Sequence, residues 1–359
     1  MNSVDQEFDN QIKSLEKPNL MVVGGTGVGK SSLINFIFGR KVAAVGAGKP
    51  VTKGCHVYQS EDVPINIFDT EGYEIEANGN IDNSNFKNVV LKEIINRKSK
   101  TLAEQIHLFW YCLSISSHRI TDYDLSNIKE LSKLGLKLAI VLTKCDQDEL
   151  DDEGKGVHAE KFKAILQAEG IHNPVFQTMT EADEPLEINE LIDWCAEQLP
   201  NDELKKAFVS AQKTNLPAKE KQAVQIILAT SAAASAAAGL NPVPLSDSLV
   251  LLPIQMGMAA GLAKTYGFPA LGSASTALLK AQIMSMLGKQ MAASLIKLIP
   301  GVGNIINGAV AGGLTAGLGY GLNLLYKDAL KTYLETGSTP NWQKLFETFD
   351  FSSFMKEKI

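Results

Sequence analysis

A doubly wound, mostly parallel α/β sheet followed by a separate all-α region is the fold class that the sequence predicts. Three observations carry it. Short, continuous apolar runs alternate with helical patterns as far as about residue 200. Composition then changes at Leu216-Pro217, beyond which Ala, Gly and Leu dominate and charges become rare. Finally, "VVGGTGVGKSSLINFIFG", from Val22 to Gly39, sets four glycines, a lysine and two serines between an apolar run and a helix start.

The expected strands are Leu20–Val23, Ile65–Phe68, Ile106–Ile115, Leu138–Leu142 and Pro174–Gln177, with His56–Ser60 as an antiparallel edge strand. Helices are expected at Ser31–Phe38, Asn85–Arg97, Thr121–Leu134, His158–Gln167 and Glu187–Gln198. Apolar strands alternating with helices need cover on both faces, which is the parallel-sheet arrangement. Domain boundaries follow: an N-terminal helix over 1–17, the sheet domain over 18–200, a connecting helix over 201–216, an Ala/Gly-rich helical domain over 217–335 and an amphipathic tail over 336–359. In the helical part, "AVQIILATSAAASAAAGL" reads as one helix closed by Gly239. "NPVPLSD" is a turn leading into a second helix with a kink at Pro253, and more helical pattern runs from Ser275 to Leu298.

A net charge of −6 over 359 residues shows no basic face for nucleic acid, so no nucleic-acid partner is expected. Cys55, Cys112, Cys145 and Cys195 lie far apart without metal-ligand spacing, as reduced thiols of a cytoplasmic protein would. The polar, acidic start MNSVDQEFDNQ is no signal peptide. The five histidines read as ordinary side chains.

Gly24, Gly29, Lys30 and Ser31 satisfy GxxxxGK[ST] between a strand and a helix, which makes the sheet domain a P-loop NTPase. A triphosphate must approach bare backbone closely, so glycines exclude side chains and supply the φ angles of a tight loop. Amides of the loop and of the helix start then face the phosphates, through Gly25, Thr26, Gly27, Val28, Gly29, Lys30, Ser31 and Ser32. Lys30 adds a point charge at the β- and γ-phosphates, and the Ser31 hydroxyl is a ligand for Mg²⁺.

"IFDTEG" places Asp69 and Gly72 in DxxG spacing: Asp69 for Mg²⁺, the Gly72 N–H for the γ-phosphate. "VLTKCD" supplies Thr143, Lys144 and Asp146. The Asp146 carboxylate can accept two hydrogen bonds from guanine, a pair adenine cannot offer, so the ligand is GTP or GDP. Alone, each of these segments also reads as a solvated strand end. Their order gives them force.

In that order the residues resemble the Ras-like GTPase superfamily over Asn19–Leu199, and "GGTGVGKSSLINFIFG" with "GKPVTKG" is similar to the Era-related bacterial GTPases. The resemblance implies a six-stranded sheet and makes Thr52 the switch threonine that completes the Mg²⁺ shell. The catalytic set is then Lys30, Thr52 and Gly72, the metal set Ser31, Thr52 and Asp69. The base-backing motif falls on "QTMT", where Thr178 is a degenerate match.

The pattern also departs. Tyr73 replaces the water-orienting glutamine, and Gly27 stands where an asparagine would hold potassium. Slow hydrolysis is therefore expected until another molecule, such as a second copy of the chain, completes the site. Glu74 and Glu76 read as a solvated acidic switch segment, in a stretch expected to be mobile. Arg119, before a helix whose start carries Thr121 and Asp124 in capping-box spacing, reads as a salt-bridge or loop residue, with an arginine finger as the second reading.

The helical half resembles an uncharacterised domain found behind Era-like G domains, over Pro217–Leu325, chiefly by NPVPLSD. Two readings stand. The uncharged run from Leu298 to Tyr326, with GxxxG spacings at Gly308/Gly312 and Gly313/Gly317/Gly321, is long enough to enter a bilayer. Against spanning stand Pro300, Asn304, Asn307 and the lysines Lys264, Lys280, Lys289 and Lys297. The preferred reading is a helical bundle, soluble or peripheral at the inner face of the membrane, that acts as the output of a nucleotide switch. The alternative is a ribosome-assembly GTPase, although no KH-like loop or basic aromatic platform appears. A dynamin-like membrane remodeller would want longer stalk helices.

Overall fold

The structure, a computed structural model, describes residues 16–39, 49–52, 55–59, 63–70, 86–180, 186–239, 247–268, 271, 273–294 and 303–349. Two compact units divide the described chain at Asn215/Leu216.

The first unit is a seven-stranded sheet: β1 Asn19–Gly24, β2 Lys49–Thr52, β3 Cys55–Gln59, β4 Asn66–Thr70, β5 Leu108–Ser114, β6 Leu138–Thr143 and β7 Val175–Gln177. Their order is β2-β3-β4-β1-β5-β6-β7. The pairs from β4 to β7 are parallel, while β3 and β2 are added antiparallel at one edge. One strand more than expected is present: β2, in "KPVT", whose proline and four-residue length hide it from a periodicity argument.

Period-2 alternation splits β1 and β5 between two cores. Leu20, Val22, Trp110 and Cys112 face α1 (Lys30–Phe38) and α5 (Ile188–Gln198). Met21, Val23, Phe109 and Tyr111 lie in the other core, with Ile128 of α3 (Asp122–Lys133) and Phe162 of α4 (Val157–Ala168). That core also takes the helical turn Phe86–Leu91, which leads into α2 (Lys92–Lys98). α3 starts on the expected capping box: Thr121 Oγ1 accepts from the Asp124 N–H, and the Asp124 carboxylate accepts from the Thr121 N–H.

The segment at 201–216, read from sequence as a connecting helix, forms α6 (Asp202–Ala211). It buries Leu204, Phe208 and Ala211 in the α1/α5 core. Lys213 N–H donates to Ile37 O, and Asn215 Nδ2 to Asp193 Oδ1. The four thiols are free and buried, each pushed up to about 12 chiefly by burial. The N-terminal helix expected over 1–17 lies outside the described residues except for its last two positions.

The second unit holds α7 (Leu216–Gly239), α8 (Asp247–Thr265), α9 (Ser273–Ser294), α10 (Gly303–Thr336) and α11 (Trp342–Thr348). α8 runs through Pro253, and α10, at 34 residues, is roughly 50 Å long. α7 and α10 are antiparallel: Ser231 and Ser235 lie against Gly312, Ile227 against Gly319, and Glu220 pairs with Lys327 at 2.5 Å. A Cβ on Gly319 would sit 2.8 Å from Ile227 Cγ1 and 2.9 Å from Met258 Sδ, so the close approach depends on the missing methyl. Gly313, from the expected GxxxG series, has open space instead.

Lys219 is fully buried, and its Nζ donates to Thr265 O at 2.6 Å. A cation thus caps the carboxyl end of α8, where the helix dipole is negative. Other polar ties run between helices: Gln222 Nε2 to Thr265 Oγ1, Tyr266 OH to Asn323 Oδ1 and Gln255 Nε2 to Thr315 Oγ1. Trp342 of α11 closes the aromatic end of this core against Phe268 and Tyr326. No helix among the described residues is long and apolar enough to cross a membrane.

Candidate nucleotide-binding site

Strand register brings the separated motifs to one edge of the sheet. Val22 pairs with Asp69, Gly24 with Cys112, and Ser114 with Thr143, so the carboxyl ends of β1, β4, β5 and β6 stand together. Ligands bind at this edge in open α/β sheets, where strand order reverses about the first strand.

The loop between β1 and α1 is shaped by two demands on glycine. Gly24 has φ 148, and a Cβ there would meet the Cys112 carbonyl oxygen at 2.4 Å. Gly29, at φ 99, is the left-handed residue that turns the chain into α1. Ser31 and Ser32 begin the helix with their side chains exposed. Lys30 folds back over the loop, its Nζ donating to Gly24 O and Gly25 O at 2.9 Å each.

Lys30 and Asp69 each support the other's charge against the effect of burial. Burial pulls the Lys30 ammonium below its usual range, with Asp69 as the main opposing influence. Burial likewise raises the Asp69 carboxyl, against Lys30 and His56. Asp69 Oδ1 is buried and has no hydrogen-bond partner. An orphaned, desolvated carboxylate oxygen at the end of β4, coupled in charge to Lys30 at the start of α1, is the donor chemistry a hard divalent cation takes, so the residues fit Mg²⁺. Thr52 ends β2, but its side chain lies outside what is described, as does all of Gly72 together with Tyr73, Glu74 and Glu76.

The base-reading side is strapped to the loop. Thr143 Oγ1 donates to Val28 O at 2.5 Å, and Lys144 Nζ donates to Gly27 O at 2.9 Å. Lys144 holds a left-handed φ of 58, which swings the chain into the turn Cys145–Gln147 and leaves Asp146 exposed. A cavity of about 70 Å³ opens here, lined by Gly29, Thr143, Lys144, Asp146, Thr178 and Thr180, among others. Thr178 is buried; its N–H and its hydroxyl both donate to Leu142 O, and its carbonyl accepts from Cys145 N–H. It therefore braces the turn as well as lining the cavity.

Sequence reasoning missed Thr180 and Gln147, which also line the cavity. No motif marks them: Thr180 depends on how the chain leaves β7, and Gln147 on the turn that follows β6. It also passed over Asp148, whose carboxylate accepts from the His158 and Ala159 N–H groups and from His158 Nδ1. His158 in turn meets His118 at 3.0 Å. Two histidines read as ordinary thus tie the turn after β5 to the start of α4. Arg119 is exposed beside that turn.

Comparison with known proteins gives the class. Residues 19–144 match the family model described as 50S ribosome-binding GTPase. With the loop, the strand order and the base-side turn, this makes the first unit a GTP-binding G domain of the P-loop GTPase class. Among curated proteins the chain is similar to neuronal-specific septin-3 of Bos taurus, 27% identical over 203 residues, covering 51% of this chain and 55% of that protein. It is also similar to cell division control protein 10 of Candida albicans, 24% identical over 172 residues, covering 42% of this chain and 46% of that one. The chain thus spans about half the length of the curated relatives it matches. Among solved structures, a probable GTP-binding protein engB matches at TM-score 0.37 and 16% identity, covering 50% of this chain and 97% of that one. A variant of Era from Aquifex aeolicus, bound to GDP and aluminium fluoride, matches at TM-score 0.33 and 16% identity, covering 51% and 57%.

Proposed function

We propose that the chain is a guanine-nucleotide switch that binds GTP and GDP with Mg²⁺ and hydrolyses GTP slowly until a second molecule joins. One observation carries this reading: a buried lysine folded over a glycine loop, an orphaned carboxylate oxygen and a cavity lined by Lys144 and Asp146 converge on one sheet edge. In the bound state the Lys30 ammonium exchanges the Gly24 and Gly25 carbonyls for phosphate oxygens. Gly25, Thr26, Gly27, Val28, Gly29 and Ser32 contribute backbone amides around the chain of phosphates. Ser31, Asp69 and Thr52 would hold Mg²⁺, which supplies neutralisation of phosphate charge. Gly72 senses the γ-phosphate. Asp146 reads the guanine edge, Lys144 lies along the base and Thr178 backs it.

Calorimetry with GTP, GDP and ATP tests this directly. Binding of both guanine nucleotides and not of ATP is expected; silence with all three overturns it. Asp146→Asn should shift preference towards xanthosine triphosphate, whose 2-oxygen accepts where guanine's 2-amino group donates. Tyr73 and Gly27, in place of the usual water- and potassium-positioning residues, support activation by self-association. Specific activity should then rise with protein concentration, and a fast, flat profile would refute it. A second reading, an Era-type ribosome-associated GTPase, is favoured by the description of the matching family model. Co-sedimentation with 50S subunits only in the GTP state would support that reading over the first.

A further inference from the structure

We infer that Asp148 is a positioning residue for guanine recognition: anchored at the start of α4 and clamped by His158, it fixes the turn that carries Asp146. This deepens the nucleotide reading and rests on it. Asp148 lies two residues beyond Asp146, in an acidic stretch where Glu149, Asp151, Asp152 and Glu153 are all exposed. Its own side chain is only 1% exposed. A carboxylate taken out of water amid solvated neighbours has to be held by donors.

Three donors hold it. Oδ1 accepts from the His158 N–H at 3.0 Å and from His158 Nδ1 at 2.9 Å, and Oδ2 accepts from the Ala159 N–H at 2.9 Å. His158 and Ala159 are the second and third residues of α4, where backbone amides have no partner inside the helix. Gly156, at the cap position, has no side chain to serve them. Nor is there room for one: a Cβ on Gly156 would stand 2.3 Å from Asp148 Oδ2. The helix is thus capped by the segment that reads the base, and the glycine leaves space for it.

The base-reading turn is consequently fixed at both ends. At its start the Cys145 N–H donates to Thr178 O at 3.1 Å, and at its end Asp148 is bonded to α4. The turn's own closure, from the Asp148 N–H to Cys145 O, is long at 3.3 Å. Asp146, exposed between the two anchors, takes its position from them. His118 orients the clamp. An ionised carboxylate can only accept, so His158 Nδ1 carries a proton, and in the neutral ring Nε2 accepts from His118 Nδ1 at 3.0 Å.

Calorimetry of the full chain with GDP and with inosine diphosphate, which lacks the 2-amino group, tests the inference. The straps from Thr143 and Lys144 would pass any slackening to the glycine loop, which grips both nucleotides alike. Only the placing of Asp146 tells them apart, so the ratio of the two affinities is the readout. The parent should prefer GDP roughly tenfold or more, for one charge-assisted hydrogen bond. Asp148→Ala should bring the ratio close to one. Gly156→Ala, which keeps every hydrogen-bonding group and only pushes the carboxylate aside, should move it the same way. His158→Phe should lower the ratio, and His158→Asn, whose amide can donate where imidazole Nδ1 does, should restore it. A parent that binds neither diphosphate overturns the nucleotide reading and this inference with it. A parent that discriminates, with Asp148→Ala and Gly156→Ala variants that melt earlier yet discriminate as well, overturns this inference alone and leaves Asp148 as a helix cap.

Discussion

The two units use glycine for opposite reasons. In the G domain, Gly24 and Gly29 take backbone angles that other residues resist, and the loop they form is a place for a ligand. In the helical unit, Gly319 sits in an ordinary helix, and what matters is the methyl it lacks. The first is conformational freedom put to chemistry; the second is volume put to packing. The same residue type therefore announces a motif in one half and only an architecture in the other.

The largest expected separation of the two halves comes from Lys30→Met. Losing charge-assisted hydrogen bonds of about 1.5–3 kcal/mol each should lower GTP affinity roughly 100-fold or more, read by calorimetry. Melting of the helical unit, followed by hydrogen exchange, should not move. Next, Lys219→Met should leave the Thr265 carbonyl uncapped inside the helical unit and cost about 1–3 kcal/mol in urea unfolding, with GTP affinity intact. Gly319→Ala should cost a similar or smaller amount, about 1–3 kcal/mol of overpacking against Ile227 and Met258, again without touching nucleotide. If either helical variant weakens GTP binding, the units are not independent in energy.

The smallest effect is a matter of pH. Desolvation acts to raise the Asp148 carboxyl, but the hydrogen bonds from His158 and Ala159 and the charge of His158 outweigh it, and the net shift is downward. A folded value below the unfolded one means stability that is present above about pH 4 and lost as pH falls through the folded value. Asp148→Asn should therefore trail the parent in unfolding assays at neutral pH, with the gap closing in acid.

Much of the G domain was legible because its signals are local. GGTGVGKSS and TKCD are each a short continuous run at a strand end, and continuous apolar strands announced a covered sheet. β2 was not legible, since a proline in four residues reads as loop and becomes a strand only when β3 offers partners. Thr180 and the Asp148–His158–His118 chain depend on separated segments meeting, which no spacing rule captures. In the helical half, the helices were readable from composition but their faces were not. Apolar residues ring each helix with no polar side to mark outside, so Gly319 could not be told from Gly313 until the neighbours were known.

The two straps from β6 to the glycine loop, Thr143 to Val28 and Lys144 to Gly27, have a mechanical corollary. They fasten the base-side turn to the phosphate loop, and Thr143 Oγ1 also donates to Leu113 O of β5. A lever applied to the Cys145–Gln147 turn would therefore slacken the phosphate loop in the same stroke.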